Sequence, residues 1–281
     1  MTLQNSDDRE VNIAVASTSL QPFSDQQYII NTQRKRAVAV HVSNVQGERL
    51  QGATVTIEQL SKDFPFGSAI AKTILLNLPY QNWFVKRFNA AVFEDELKCN
   101  EMLHFEFYEK LGPDATLHFV ETAHRSDPLA TLFMSEFNVV ETCSDVNSTV
   151  DAYISSLRDL RKGRVFMDGI GLEGHFTVPN PPLMRAILDK LVTLGLPIWL
   201  AEVDVSNTLD KATQAVYLEQ VLREGFSHPY ANGIMLWTAL HPNGCYRMCL
   251  TDNNFQNLPA GDVVDKLLKE WKTEEFRGCD R

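Results

Sequence analysis

Short apolar runs alternate with amphipathic stretches of helical length along most of this chain, and this alternation restricts its fold more than any other feature. The run FPFGSAI (64–70) precedes a helical pattern through Ala71–Asn89, and AAVFEDEL (90–97) follows. Strands separated by helices of this size predict βαβ units and a parallel sheet. Six such runs are recognisable, and they cover 64–70, 90–97, 131–138, 165–175, 197–206 and 232–240.

More than four βαβ units favour a closed (β/α)₈ barrel or a doubly wound sheet. No glycine-rich phosphate loop follows any of the runs, which disfavours a doubly wound nucleotide-binding sheet. Polar and acidic side chains do follow them, and the carboxyl ends of barrel strands are where barrel enzymes carry their sites. These residues are Glu94, Asp95, Lys98, Glu101, Asn138, His175, Glu202, Asp204 and His241.

The two ends of the chain read differently from the barrel segment 64–273. Residues 1–63 are predicted to form a loose leader (1–30) and a β-hairpin or extended arm built from Ala37–Ser43 and Ala53–Glu58. Residues 274–281 form a polar tail that we expect to be disordered.

The formal net charge of −10 argues against nucleic acid and anionic membranes as partners, because both attract clustered lysine and arginine. No run approaches the ~20 apolar residues of a membrane helix. The N-terminus, MTLQNSDDRE, has neither the basic nor the apolar region of a signal peptide.

Five cysteines occur, an odd number that does not suggest a disulfide framework. Cys245 and Cys249 could bridge within one loop, but their spacing alone favours free thiols. No second pair of cysteines or histidines lies at ligand spacing, so we predict no metal site and no cofactor.

Two glutamates stand out chemically. Glu202 lies within the apolar run PIWLAEVDVS, and a buried carboxylate is costly unless it is paired or hydrogen-bonded. Glu101 follows Asn100 at the start of an amphipathic stretch. Each has a purely structural alternative: Glu202 could cap a helix or pair with a lysine, and Asn100-Glu101 is typical of a helix N-terminus. Two glutamates from separate strand ends, directed into one cleft, are what glycoside hydrolysis requires.

Seven motifs, taken in order, resemble the plant endo-1,4-β-xylanases of glycoside hydrolase family 10 between about residues 11 and 273. They are FPFGSAI, FNAAVFEDELK, NEMLHFEFYE, DPLATLFMSEFNVVE, GIGLEGHF, LPIWLAEVDVS and GIMLWTALHPNGC. The resemblance implies a (β/α)₈ TIM barrel that hydrolyses xylan with net retention. It also implies xylan or xylooligosaccharides as binding partners and an extracellular or cell-wall location, and it leaves the oligomeric state open.

The resemblance assigns catalytic roles to three residues. Glu101 matches the general acid/base and Glu202 matches the nucleophile. His175, in GLEGH, matches the histidine that hydrogen-bonds the nucleophile and helps to keep it ionised. Retention requires the two carboxyl groups to lie about 5–5.5 Å apart.

Substrate-binding residues follow in the same way. Asn100 matches an asparagine that contacts the sugar 2-hydroxyl, while Glu94 and Lys98 match the group that holds the sugar on the non-reducing side of the cut. Trp237 matches the aromatic floor of the cleft, although without the resemblance both it and His175 read as core residues. Asn138, which ends the run 131–138, completes the predicted set.

The family pattern is interrupted just after the run AAVFEDEL. In the family, ELK ends the second barrel strand and Asn-Glu ends the fourth, yet here only Lys98, Cys99 and Asn100 lie between Leu97 and Glu101. One crossover between parallel strands takes at least ~10–12 residues. We therefore predict a missing segment, joined at Cys99 where the family has tryptophan, and an incomplete barrel of about six strands.

Activity should suffer from this gap, because an error of ~1 Å in a catalytic group can cost ~100-fold in rate. Asp95, where the family often has asparagine, is a further departure. We predict a xylanase-type protein with weak or no activity. The alternatives are a non-catalytic xylan-binding remnant or incomplete gene product, another barrel glycosidase, and a cytosolic structural protein.

Overall fold

A six-stranded parallel sheet forms the centre of the protein in its computed structural model. The structure describes residues 26–35, 54–56, 63–94, 121–122, 124–128, 131–136, 139–141, 149–163, 167–272 and 277–279. All statements below concern these residues.

From Phe66 onward the described elements alternate between strands and helices, as the apolar runs predicted, except that no helix is assigned between β3 and β4 within the described residues. In chain order they are α1 (Gln26–Ile29, extended by a π-helical turn, Ile30–Arg34), β1 (Thr54–Thr56), β2 (Phe66–Ile70), α2 (Leu78–Val85), β3 (Ala90–Phe93), β4 (Phe133–Glu136), α3 (Val150–Lys162), β5 (Gly169–Phe176), α4 (Pro181–Leu191), β6 (Ile198–Val205), α5 (Lys211–Ser227), β7 (Ala231–Leu236), α6 (Pro259–Trp271) and β8 (Arg277–Cys279).

The central sheet has the order β3-β2-β7-β6-β5-β4, and every neighbouring pair is parallel. The sheet strands that come first and last along the chain, β2 and β7, lie side by side, with Phe66 opposite Ile234. Within the described residues this order is that of an incomplete (β/α)₈ barrel, so the predicted incomplete barrel is confirmed. Within the described residues the sheet is open between β3 and β4, the chain interval in which the sequence predicts the missing segment.

The core lies on both sides of this sheet, because the strands are apolar on both faces and helices cover the outside. Ile170, Leu172 and Leu200 are wholly buried. The helices α2, α3, α4 and α5 begin at side-chain caps. At α5 the Asp210 side chain accepts hydrogen bonds from the backbone N–H groups of Ala212 and Thr213, both at 3.0 Å. Such caps satisfy backbone donors that the first turn leaves free.

A bulge in β6 sets the side chains at the carboxyl end of the sheet. Leu172 on β5 lies opposite Leu200, but the next residue, Glu173, lies opposite Glu202, so Ala201 is passed over. A bulge of this kind shifts the residues that follow it relative to the neighbouring strand. As a result His175 lies opposite Asp204.

The N-terminal segment corrects one expectation. Part of the predicted loose leader, from Gln26 onward, is helical and packs on α5. Gln26 Nε2 donates to Glu224 Oε2 at 2.6 Å, and Arg34 donates to the backbone oxygens of Phe226, His228 and Ala231. The polar side chains that suggested a free leader instead satisfy buried acceptors on the barrel.

The tail and the arm correct a second expectation. Arg277–Cys279, in the tail expected to be disordered, pairs antiparallel with Thr54–Thr56. The described part of the arm therefore pairs with the tail; the other predicted arm strand, Ala37–Ser43, lies outside the described residues. The sequence indicated extended structure in the arm but could not reveal this distant strand partner.

The cysteines correct a third expectation from the sequence. Cys245 and Cys249 form a disulfide, with their Cα atoms 5.3 Å apart, whereas spacing alone favoured free thiols. The loop turns sharply at Gly244, whose φ of +104° suits glycine, and the turn gives the two side chains the approach that a disulfide needs. Separately, none of the helices in the described part has the length and apolar character of a membrane span.

Candidate active site

A cleft of about 530 Å³ opens at the carboxyl ends of the sheet strands. Four of the predicted site residues line it, contributed by β5, β6 and the segments that follow β3 and β7. These residues are Glu94, His175, Glu202 and Trp237. The sheet thus brings together side chains that are up to 143 positions apart in the sequence, as the strand-end pattern predicted.

Glu202 is the central group of the cleft. It lies on β6 and only 7% of its surface is exposed, although the side chain lines the cleft. Nε2 of His175, on the adjacent strand β5, lies 3.4 Å from Glu202 Oε2. The other ring nitrogen, Nδ1, lies 3.1 Å from Asp204 Oδ1. His175 therefore stands between two carboxylates.

The protonation of His175 follows from this arrangement. Burial lowers its pKa, but interactions with the carboxylates of Asp204 and Glu202 outweigh burial and raise the pKa from 6.5 to about 10. His175 is consequently a cation at neutral pH. The imidazolium therefore places a positive charge directly against the Glu202 carboxyl group, where it would support a nucleophile.

Two further charged residues surround His175. Glu141, just beyond β4, accepts a hydrogen bond from the His175 backbone N–H at 2.7 Å. Burial raises the pKa of Glu141, while that hydrogen bond and the charges of His175 and Arg247 lower it and leave a net rise. Arg247 Nε lies 3.3 Å from Asp204 Oδ1.

The opposite side of the cleft is formed around Glu94. This carboxylate follows β3, is buried, and contacts His241 Nε2 through Oε2. Trp237 directly follows β7 and packs with Ala69, Ala71 and Ala239 at the base of the cleft. Its indole is therefore both part of a small core cluster and part of the cleft lining, so the two readings of the sequence are compatible.

The remaining predicted residues are not placed. Lys98, Asn100, Glu101 and Asn138 lie outside the described residues, as does Asp95. The separation between Glu101 and Glu202 therefore stays a prediction.

Sequence reasoning missed several members of the cluster. Glu141, Glu173 and Arg247 were not singled out, and Asp204 and His241 were noted only as polar residues at strand ends. Asp204 follows Glu202 by two positions, so alternation along a strand could have placed both side chains on one face. No signal in the sequence relates Arg247 to this cluster, because its position depends on how the loop after β7 folds.

Donor atoms of Glu173, His175 and Glu202 lie within 4.8 Å of one another, a set that a metal ion could use. Both ring nitrogens of His175 face carboxylate oxygens, Nε2 at 3.4 Å from Glu202 and Nδ1 at 3.1 Å from Asp204. The geometry fits an ion-paired histidine better than a metal ligand.

A parallel sheet with barrel order, and a buried glutamate with a cationic histidine at its carboxyl ends, place the protein in the (β/α)₈-barrel class. Residues 100–265 match the profile of "Glycosyl hydrolase family 10". The chain belongs to this family.

Several plant proteins are similar over much of the chain. Endo-1,4-beta-xylanase 2 of Arabidopsis thaliana is 32% identical, with 73% of this chain and 26% of the relative covered. Endo-1,4-beta-xylanase 5 of the same plant is 29% identical over 95% of this chain and 63% of the relative. The chain thus spans less than two thirds of these relatives.

Two other similar proteins come from organisms that are not plants. Anti-sigma-I factor RsgI6 of Acetivibrio thermocellus is 26% identical, with 95% of this chain and 45% of the relative covered. Among solved structures, xylanase 10B from Thermotoga petrophila in complex with xylobiose is 20% identical, with a TM-score of 0.48 and coverage of 58% of this chain and 54% of that one.

Proposed function

We propose that this chain has the active site of a retaining endo-1,4-β-xylanase acting on xylan, and that a missing segment impairs its activity. The observation that carries the proposal is the contact between His175 and Glu202 in the cleft. A buried carboxyl group that is paired with a cation at the carboxyl end of a barrel strand suits a nucleophile. The plant relatives are named endo-1,4-beta-xylanases, which supports xylan as the substrate.

The proposed reaction has two steps. Ionised Glu202 attacks the anomeric carbon and forms a glycosyl-enzyme bond, while Glu101 gives its proton to the departing glycosidic oxygen. Glu101 then takes a proton from water, and the resulting hydroxide displaces Glu202 from the sugar. Glu94 and Trp237 would hold the sugar on the cleft wall and floor, together with Lys98, Asn100 and Asn138.

Impairment is supported by the opening in the sheet that the described residues form. The described sheet is open between β3 and β4, the chain interval that contains Glu101. The alignment with endo-1,4-beta-xylanase 5 covers 359 positions, more than the 281 residues of this chain, so part of the relative faces gaps. A general acid without its supporting strand loses the positioning on which its rate contribution depends.

The test uses an aryl xylobioside with a good leaving group, which makes little demand on the general acid. We expect slow turnover that Glu202→Gln abolishes. Glu101→Gln should change kcat/KM little, because this leaving group needs no proton in the first step, but it should lower kcat, because the second step still uses Glu101 as the base. Xylan itself should be cleaved more slowly still. Robust turnover of xylan would contradict the proposed impairment, and turnover that survives Glu202→Gln would contradict the assigned nucleophile.

A second candidate is a xylan-binding protein without activity. One relative that covers 95% of this chain is named an anti-sigma-I factor and not a hydrolase. Titration calorimetry with xylohexaose, alongside cellohexaose and mannohexaose, separates the candidates. Binding of the xylose oligomer without product formation would support the second, and failure to bind any of them would contradict both.

An extracellular location is also part of the proposal. The disulfide between Cys245 and Cys249 supports it, because disulfides persist in oxidising compartments and are rare in the cytosol. Thiol titration of the protein from its native tissue, before and after reduction, checks this. Two additional thiols after reduction are expected.

A further inference from the structure

The loop after β7 carries an arginine beneath the cleft. Arg247 lies between Cys245 and Cys249, whose disulfide closes the loop around it. Its side chain is mostly buried: Nε lies 3.3 Å from Asp204 Oδ1, and Nη2 donates to the His175 backbone oxygen at 3.4 Å. The loop therefore places a permanent cation against Asp204 and His175, the two residues beside Glu202.

Asp204 depends on this cation. Its carboxylate is fully buried at the carboxyl end of β6. A buried carboxylate is unfavourable unless charges or donors compensate it. The compensation comes from two charge contacts, with His175 at 3.1 Å and with Arg247 at 3.3 Å.

The cluster is unbalanced without the arginine. Asp204, Glu202 and Glu141 surround His175, and Arg247 is the second cation that acts on the same group. If Arg247 is removed, His175 is the one cation that the described residues still place against the buried Asp204. We expect the imidazolium then to shift towards Asp204 and away from Glu202.

We propose that Arg247 is a positioning residue for Glu202, acting through Asp204 and His175, and that the Cys245–Cys249 disulfide holds it in place. It touches the supporting pair and not the reacting carboxylate. The proposal deepens the proposed function and rests on it for the role of Glu202, but the described contacts are independent of whether this chain turns substrate over.

The first experiment needs no activity. In ¹H,¹⁵N spectra of the intact chain, the two ring N–H protons of His175 should give downfield signals that exchange slowly with water, because carboxylates hold them. Arg247→Met should abolish or broaden both signals. Arg247→Lys keeps the charge, although a lysine cannot span both acceptors, and should retain them in part.

Two further variants test whether the disulfide loop holds Arg247 in place, and whether loss of any cation has the same effect. The double variant Cys245→Ser/Cys249→Ser should change the His175 signals in the same direction as Arg247→Met, but less. Lys190→Met is the matched control, since it removes a cation from the exposed Lys190–Asp151 pair on the outside of the barrel. It should leave the signals unchanged. If Arg247→Met does not fold, Arg247→Lys and the double variant decide the question.

The second experiment measures kcat and KM separately for the aryl xylobioside. Arg247→Met should lower kcat about tenfold, because displacement of His175 leaves Glu202 poorly positioned for attack. KM should change little. Unchanged imidazole signals in Arg247→Met would overturn the positioning role. Altered signals in a chain that shows no turnover would support it while contradicting the proposed hydrolase activity.

Discussion

His228 Nε2 lies 3.2 Å from Asp189 Oδ1, although the histidine is completely buried and the aspartate is largely exposed. Burial and then the charge of Arg185 lower the pKa of His228, while Asp189 opposes them, and the result is a pKa of about 4. The folded barrel thus contains a histidine that is neutral at physiological pH. It lies between α5 and the start of β7, whereas the cationic His175 lies near the carboxyl end of β5.

Acid should destabilise the protein through His228. The unfolded chain takes up this proton near pH 6.5 and the folded chain only near pH 4, so stability is lost as the pH falls from 6.5 towards 4. The loss from this group is at most about 3 kcal/mol. Urea unfolding of the wild type and of His228→Gln at pH 7 and pH 4.5 measures it, and the variant should lose less. An equal loss in both would assign the acid sensitivity to other groups.

Alkali should destabilise the protein through His175. Its folded pKa of about 10 exceeds the unfolded value of 6.5, so its contribution is fully present below pH 6.5 and is lost as the pH rises towards 10. Unfolding free energies at pH 6 and pH 9.5 test this. His175→Gln should be less stable than wild type at pH 6 and should approach it at pH 9.5. A constant difference between the two proteins would contradict the raised pKa.

The ion pair of Arg185 and Glu224 should be a strong structural contact. Glu224 is buried, contacts the Arg185 guanidinium and also accepts from Gln26. Glu224→Gln should cost about 3 kcal/mol of unfolding free energy, because it leaves a largely buried guanidinium without its anion. The matched control is Asp151→Asn in the exposed Lys190–Asp151 pair, which should cost less than about 1 kcal/mol. Similar losses in the two variants would contradict the assigned role.

Gly233 should tolerate no side chain. A Cβ atom built there would lie 2.3 Å from a ring carbon of Trp199 on the neighbouring strand. Gly233→Ala should therefore cost about 2 kcal/mol through overpacking. Combining it with Trp199→Leu should recover part of that loss, because the ring that clashes has been removed. Additive losses in the double variant would show that the close approach is not the cause.

Supplying the segment that we predict to be missing should restore activity. Inserting the third barrel strand, its flanking helices and the start of the fourth strand from a full-length family member, in place of Cys99, should raise xylan turnover at least ~100-fold. The rise should require Glu101, so the same insertion with Glu101→Gln should remain inactive on xylan. A linker of the same length without strand character is the control. Equal gains from both insertions would contradict the strand argument.

The sequence was sufficient to predict the barrel elements because each one carries its own periodicity. The run 197–206 anticipated β6, Ile198–Val205, almost to the residue. Glu202 and His175 were found from a chemical anomaly and a family motif, respectively, and the sheet brings both to the cleft. Such local signals can be recognised in the sequence without knowing which strands lie next to each other.

Other features depend on contacts between distant segments, and the sequence alone could not supply them. The bulge at Ala201 decides that His175 lies opposite Asp204, yet LAEVDV reads as regular alternation. The docking of Gln26 on Glu224 joins residues 198 positions apart. The disulfide depends on a turn at Gly244 that cysteine spacing does not reveal.

The pairing of β2 with β7 has a consequence for how the chain could be rearranged. Phe66 and Trp271, near the two ends of the barrel segment, lie with their rings 5.8 Å apart, and Asp63 and Lys272 border one cavity. A circular permutant that fuses these ends through a short linker, and starts instead at β4, would preserve all described neighbours within the central sheet. Its new termini would flank the open side of the sheet, where a separately expressed pair of strands could be supplied in trans.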